Sequence, residues 1–98
     1  MVHRVGMVHT VASLVPMFGK LVSELIPGTD VVNLVDEGLL KDARAKGRLT
    51  PEAGRRLGLL CSFAEESGAE IVMVTCSSIG PLVAGANAYV KVPVFRVD

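Results

Sequence analysis

The segment from residue 71 to residue 81 constrains the fold more than any other part of this 98-residue chain. It reads Ile-Val-Met-Val-Thr-Cys-Ser-Ser-Ile-Gly-Pro. Consecutive apolar residues are typical of a strand that is buried on both faces, as strands of parallel sheets are. The hydroxyl residues and the Gly-Pro pair that follow predict the end of the strand and the start of a helix. We therefore expect a buried parallel strand that ends at Cys76.

Strand patterns alternate with helix patterns along the whole chain. This order predicts parallel strands joined by right-handed crossovers. We expect an α/β fold with a four-stranded parallel sheet of order 2-1-3-4, flanked by helices. Pro93 favours a position at the sheet edge for the last strand. The expected strands are residues 5–8, 30–35, 70–75 and 92–97. The expected helices begin after Ser13, Thr50 and Gly80, and residues 39–46 are expected to form a short helix or turn.

Length and composition limit the classes of protein to which the chain can belong. Residues 1–98 suffice for one small domain. Hydrophobic residues make up 50% of the chain, aromatic residues 4%, and the formal net charge is zero. Few aromatics and no basic stripe argue against nucleic-acid binding, and no apolar run is long enough to span a bilayer. Two cysteines without a secretion signal favour the cytoplasm.

The two cysteines have different sequence surroundings. Cys76 follows a strand and precedes a helix, where backbone N–H groups favour anions, lower a thiol pKa and suit a substrate carboxylate. The alternative is that Cys76 only packs, as many free cysteines do. Cys61 lies on an apolar helical stripe with Leu57 and Ala64, which predicts a core position.

Candidate site residues lie where the strands end. In an open parallel sheet, ligands bind beyond the carboxyl ends of the strands at the point where strand order reverses. For the order 2-1-3-4, that point lies between strands 1 and 3, so His9 and Thr10 would neighbour Cys76, Ser77 and Ser78. His9 either polarises a substrate or caps the following helix.

Two aspartates also follow strands, and each has a simple alternative role. Asp36 fits a turn before Gly38. Asp98 follows the last strand. It is either a site residue or a terminal residue that solvent surrounds. His3 would lie at the opposite end of the sheet, away from any chemistry.

Several other kinds of site are disfavoured by residue spacing. The cysteines and histidines do not form a zinc pattern. Neither of the glycine-rich phosphate loops, Gly-x-Gly-x-x-Gly and Gly-x-x-x-x-Gly-Lys, occurs in the sequence. Cys76 has no arginine at the spacing of a cysteine phosphatase. We therefore expect no metal and no nucleotide cofactor.

Five motifs together resemble the N-terminal lobe of the aspartate/glutamate/hydantoin racemase superfamily. They are Val-His-Thr-Val at 8–11, Val-Val-Asn-Leu-Val-Asp-Glu-Gly-Leu-Leu at 31–40, Leu-Thr-Pro-Glu at 49–52, Val-Thr-Cys-Ser-Ser-Ile-Gly-Pro at 74–81 and Val-Pro-Val-Phe-Arg-Val-Asp at 92–98. The resemblance covers essentially the whole chain and keeps the order of the motifs.

The resemblance implies a function and a role for each matching residue. In that superfamily two similar lobes each supply one cysteine, and the two cysteines move a proton at the substrate α-carbon without a cofactor. Cys76 matches the catalytic cysteine of the first lobe. Ser77 and Ser78 match positions that hold the substrate carboxylate, and His9 and Thr10 match the strand end that lines the cleft.

The chain departs from the superfamily in having no second lobe and no second catalytic cysteine. A second chain or further sequence would have to supply them, so we expect a homo-oligomer or a missing lobe as partner. The sheet has no helix after its last strand, which predicts exposed apolar surface. Two hypotheses remain open: a racemase-like or isomerase-like enzyme acting on an amino acid or related carboxylate, and a non-catalytic carboxylate-binding lobe or fragment. A flavodoxin-like module is weaker, because its phosphate loop is missing.

Overall fold

The computed structural model describes residues 2–98 and has the expected α/β architecture, with one parallel four-stranded sheet of order β2-β1-β3-β4. Its α-helices and strands, in chain order, are β1 (Arg4–His9), α1 (Leu14–Leu25), β2 (Asp30–Val35), α2 (Glu37–Lys46), α3 (Pro51–Glu66), β3 (Ile71–Val74), α4 (Val83–Ala86) and β4 (Val94–Arg96). Two 3₁₀ helices, Ser77–Leu82 and Asn87–Tyr89, flank α4.

Strand β1 lies at the centre of the sheet and sets its register. Met7 pairs with Asn33 of β2 on one side and with Met73 of β3 on the other. Strand β4 is an edge strand, as Pro93 predicts. The carbonyl oxygen of Pro93 accepts a hydrogen bond of 3.0 Å from the backbone N–H of Val72. Proline therefore joins the ladder only as an acceptor, which needs no N–H group.

Local signals explain the ends of the two long helices on one face of the sheet. The side chain of Asp36 accepts a hydrogen bond from the backbone N–H of Gly38, so α2 begins earlier than Leu39. Gly47 ends α2 in the left-handed region, with φ of 69°. The side chain of Thr50 accepts from the N–H of Ala53, and Pro51 occupies the first position of α3.

The segment after β3 differs from the expected helix. Residues 77–89 form a 3₁₀ helix, one turn of α-helix and a second 3₁₀ helix. Pro81 lies inside the first 3₁₀ helix and lacks the N–H group that an α-helical hydrogen bond requires. Gly80 and Gly85 add little helix propensity. Val83 and Ala86 of this segment are nevertheless buried.

The two faces of the sheet are covered unequally. Helices α2 and α3 and the 77–89 segment form the main core with Val8, Val72 and Val74. The other face has a small cluster in which Val5 and Met7 pack against α1. Large apolar side chains therefore remain exposed near this second face, among them Leu25 at 75% and Phe95 at 50%.

In residues 2–98, none of the helices combines the length and the apolar character needed to cross a membrane.

Candidate functional site

The candidate site lies where β1 and β3 end side by side, at the reversal of strand order. Val8 pairs with Val74, and the N–H of Thr75 donates to the carbonyl oxygen of Val8 at 3.0 Å. Thr10 and Cys76 each follow two residues after this last pair of the ladder. The fold thus brings together the two strand ends that the sequence predicted as neighbours.

Thr10 is the one polar side chain of the site that is both buried and without a partner. It is 2% exposed, and within residues 2–98 its Oγ1 atom is the only buried side-chain N or O that makes no hydrogen bond. An unpaired buried hydroxyl costs about 1–3 kcal/mol. Such groups in native proteins call for an explanation, and a bound polar ligand or an ordered water supplies one.

Cys76 follows β3 in an extended conformation, carries a free thiol and is 9% exposed as a residue. It belongs to the main core cluster together with Val74, so its thiol is only narrowly accessible. Ser77 and Ser78, in contrast, are exposed, and their hydroxyls take part in none of the hydrogen bonds among residues 2–98. These two hydroxyls are free to bind a ligand.

The electrostatic argument for an activated Cys76 is weaker in the structure than in the sequence. A long α-helix after the strand would concentrate a positive field at its first N–H groups. The element that begins at Ser77 is a six-residue 3₁₀ helix. Its shorter length and poorer hydrogen-bond geometry give a smaller field. Hydrogen bonding by hydroxyls is therefore the stronger basis for binding a carboxylate here.

His9 is fully buried, and both of its ring nitrogens are occupied. Nδ1 lies 2.7 Å from Oγ1 of Thr75, and Nε2 lies 2.8 Å from Oδ1 of Asn33. When Nε2–H donates to Asn33, the single hydroxyl hydrogen of Thr75 goes either to Nδ1 or to the carbonyl oxygen of Val8, 3.3 Å away. The ring lies beside Phe18 of α1, with 6.0 Å between ring centroids. His9 thus ties three strand ends together and does not cap α1, so its direct contact with substrate stays a prediction.

The two aspartates after strands are both engaged by arginines. Asp36 accepts a hydrogen bond of 2.6 Å from Nη2 of Arg56, in addition to capping α2. This structural role agrees with the alternative that Asp36 is a turn residue before Gly38. Asp98 accepts bonds of 2.8 and 3.1 Å from Nε and Nη2 of Arg96. These hydrogen bonds hold the pKa of Asp98 below its ordinary value. A ligand contact by Asp98 remains a prediction.

Cys61 lies in the core, as its helical stripe predicts. It is 0% exposed, and burial raises the pKa of its thiol to about 11. Since a thiolate is the reactive form, Cys61 is inert near neutral pH. Cys76 is therefore the single cysteine at this edge of the sheet that can take part in chemistry.

Two recesses lie at opposite ends of the sheet, and only the smaller of them borders the site. The larger, about 450 Å³, lies at the amino end of the sheet, where His3 and Thr29 are its only polar side chains. A smaller one, about 230 Å³, borders Ser78 and contains Arg44 and Arg48. The sequence pattern did not single out these arginines. The only feature of the sequence that could have indicated their proximity is their separation by four residues around the end of α2.

Fold and site together define an α/β protein whose candidate site lies at the strand-order reversal of a parallel sheet. Comparison with known protein families finds no match, and no curated protein matches the chain either. Within residues 2–98, no three His, Cys, Asp or Glu side chains form a cluster that could hold a metal ion. The functional argument therefore depends on the residues of the site.

Proposed function

We propose that this chain is one lobe of a cofactor-independent racemase-like or isomerase-like protein, which binds an amino acid or related carboxylate. The carboxylate would lie at the ends of β1 and β3. The observation that carries the proposal is the buried, unpartnered hydroxyl of Thr10, which follows β1 just as Cys76 follows the paired strand β3. Ser77 and Ser78 add two free hydroxyls. Hydrogen bonds from neutral donors to a carboxylate are stronger than those between neutral groups.

The chemistry assigned to Cys76 is proton transfer at the α-carbon of the ligand. A Cys76 thiolate accepts the α-proton, and the electron pair left on carbon delocalises into the adjacent carboxyl group. Hydroxyl donors at Thr10, Ser77 and Ser78 stabilise the negative charge that develops there. A second acid on the opposite face of the carbon then returns a proton. The buried thiol of Cys61, with its pKa of about 11, is not that acid.

The second acid would come from outside the residues of this site. A second lobe is one source. Another is a second copy of the chain, because a two-fold axis places equivalent residues opposite each other. We propose the cytoplasm as the location, since the two free cysteines suit a reducing compartment. The small carboxylate and the second lobe or copy are the proposed partners, and neither nucleic acid nor membrane is among them.

A second candidate function is carboxylate binding without turnover. The observation that favours it is the position of Cys76, which is 9% exposed and is the only cysteine at the site. The two candidates share the binding step and differ in proton transfer. Binding and exchange are therefore measured separately.

The binding step is tested by following backbone amide resonances while aspartate, glutamate or malonate is added. We expect shifts at Thr10, Ser77 and Ser78, and weaker binding after Thr10→Val, which removes the hydroxyl and keeps the shape. The matched control is Thr29→Val, because Thr29 lines the recess at the opposite end of the sheet. Shifts confined to the surroundings of His3 would contradict the proposed site.

The proton-transfer step is tested by deuterium exchange at the α-carbon of aspartate, glutamate and a substituted hydantoin. We expect weak or no exchange by this chain alone, since a misplacement of about 1 Å in the catalytic geometry costs roughly a hundredfold in rate. Exchange should appear when a second lobe is supplied, and Cys76→Ser should abolish it while Cys61→Ala retains it. Binding without exchange in every such assembly would favour the non-catalytic lobe.

A further inference from the structure

A recess of about 230 Å³ opens beside the candidate site and is lined by both apolar and basic residues. The apolar ones are Leu40, Ala43 and Leu49, from α2 and the connection to α3. The others are Arg44, Arg48 and Ser78. Because drug-sized ligands occupy pockets of about 300–1,000 Å³, this recess fits one small group better than a whole cofactor. Ser78 makes it continuous with the Cys76–Ser78 segment.

Of the six arginines in residues 2–98, three are held in ion pairs, whereas the two at the recess and Arg55 are not. Arg4 pairs with Asp30, Arg56 with Asp36 and Asp42, and Arg96 with Asp98. Arg44 and Arg48 take part in none of the ion pairs found within residues 2–98, and no acidic residue lines the recess. Their guanidinium donors are thus available to a ligand.

A purely structural role accounts for only one of the two arginines. Arg44 lies in the last turn of α2, where a positive charge complements the helix dipole. Arg48 lies beyond the Gly47 cap, outside the helix. Both residues nevertheless line the same recess, although their like charges repel. An anion between them would offset that repulsion, and planar guanidinium groups match the oxygens of carboxylates and phosphates.

We propose that Arg44 and Arg48 form an oxyanion-binding subsite that opens onto Ser78 and takes a carboxylate or phosphate group. The evidence for the subsite is the recess and the two arginines there that form no ion pair. Its link to a ligand at Thr10 rests on the proposed function. The oxyanion is either a second acidic group of that ligand or a separate small anion, and the two sources share the same chemistry.

The test is a titration of the whole chain with acetate, inorganic phosphate or malonate at constant ionic strength, followed through the amide resonances of Thr10, Arg48 and Ser78. In the wild-type chain, phosphate and acetate should shift Arg48 and Ser78. The double variant Arg44→Gln/Arg48→Gln should bind about tenfold more weakly or worse, since it loses charge-assisted hydrogen bonds to the anion. Arg55→Gln is the matched control, because Arg55 is exposed on α3 and does not line the recess.

Thr10→Val identifies the source of the oxyanion. If it leaves the acetate and phosphate shifts at Arg48 unchanged and also leaves malonate binding unchanged, the subsite takes a separate anion. If it weakens malonate binding as much as the double arginine variant does, one ligand spans both places. Either result supports the subsite.

Other outcomes overturn one proposal and leave the other standing. Shifts at Thr10 without shifts at Arg48 and Ser78 would overturn the subsite while supporting the carboxylate site. Shifts at Arg48 and Ser78 with no response of Thr10 to any probe would overturn the carboxylate site while supporting the subsite. Equal weakening by Arg55→Gln would show general charge attraction and would overturn the subsite, as would the absence of any shift.

Discussion

The imidazole Nδ1 of His9 lies 2.7 Å from the hydroxyl oxygen of Thr75, although the two residues are 66 positions apart in the chain. This contact joins the carboxyl ends of β1 and β3 next to Thr10 and Cys76. A second bond, from Nε2 to Asn33, extends the link to β2. The candidate site is thus built on strand ends that a buried, fully paired histidine holds in place.

Removing the Thr75 hydroxyl should destabilise the protein. Thr75→Val keeps the side-chain shape but leaves the buried Nδ1 of His9 without a partner, at a cost of about 1–3 kcal/mol. Thr75→Ser retains the hydroxyl and should lose less. Urea unfolding followed by circular dichroism measures both variants. An unfolding free energy of Thr75→Val equal to that of the wild type would show that the contact contributes nothing.

Cys76 should react with alkylating reagents before Cys61 does. Cys61 is fully buried, with a pKa of about 11, whereas Cys76 is 9% exposed at a strand end. Iodoacetamide treatment of the folded protein at neutral pH, followed by peptide mass mapping, measures the order. Preferential modification of Cys61 would contradict the assignment of Cys76 as the reactive thiol.

Stability should fall at alkaline pH because of Cys61. Burial raises the pKa of its thiol from 9.0 to about 11, so the unfolded chain loses this proton first as pH rises. The Cys61 contribution is therefore complete below pH 9.0 and declines up to about pH 11, by at most about 3 kcal/mol in total. Urea unfolding on both sides of this range should show a steeper fall for the wild type than for Cys61→Ala. Parallel pH profiles would contradict the raised pKa.

Two glycine-to-alanine substitutions should have opposite effects. A Cβ atom at Gly6 would lie 2.8 Å from Cβ of Ala64 and 3.1 Å from Cβ of Ala69, so Gly6→Ala should overpack the contact of β1 with α3. We expect a loss of about 1–3 kcal/mol. Gly19, inside α1, has open space around its Cα, and Gly19→Ala should gain about 0.5–1 kcal/mol. Urea midpoints distinguish the two, and a neutral Gly6→Ala would show that the helix can move away.

The chain on its own should self-associate through the sheet face that α1 covers only in part. A recess of about 290 Å³ there is lined only by apolar side chains, Leu25 and Met73 among them, and Phe95, which pairs with Met73 in the sheet, is exposed. Exposed apolar surface of this kind marks interaction sites. Light scattering at micromolar concentration should show a dimer or a larger species.

Charged substitutions locate the associating face. Leu25→Lys/Phe95→Lys should shift the population toward monomer, whereas Leu59→Lys, on α3 at the opposite face, should not. A compact monomer of the wild-type chain at the same concentration would refute the prediction.

Most of the fold could be predicted from local patterns. The apolar run at 71–74, the Thr50-Pro51 helix start and the alternation of strands with helices are properties of neighbouring residues, and they determine the parallel sheet and its order. Local reasoning failed at residues 77–89, where Pro81 and two glycines lower the helix propensity and tertiary packing still buries Val83 and Ala86. The helix expected after Gly80 is therefore mostly 3₁₀ structure with a single α-helical turn.

The sequence by itself determined which residue types stand at the strand ends, and the tertiary structure decided what each of them can do. His9 and Thr10 are consecutive and both buried, yet His9 has two partners and Thr10 has none. The partners of His9 are 24 and 66 residues away, so they depend on strand register and not on local spacing. Arg44 and Arg48 likewise line one recess with Ser78 because of tertiary packing and not because of local spacing. Hydrogen bonds and ion pairs form only over a few ångströms, and only the packed chain sets those distances.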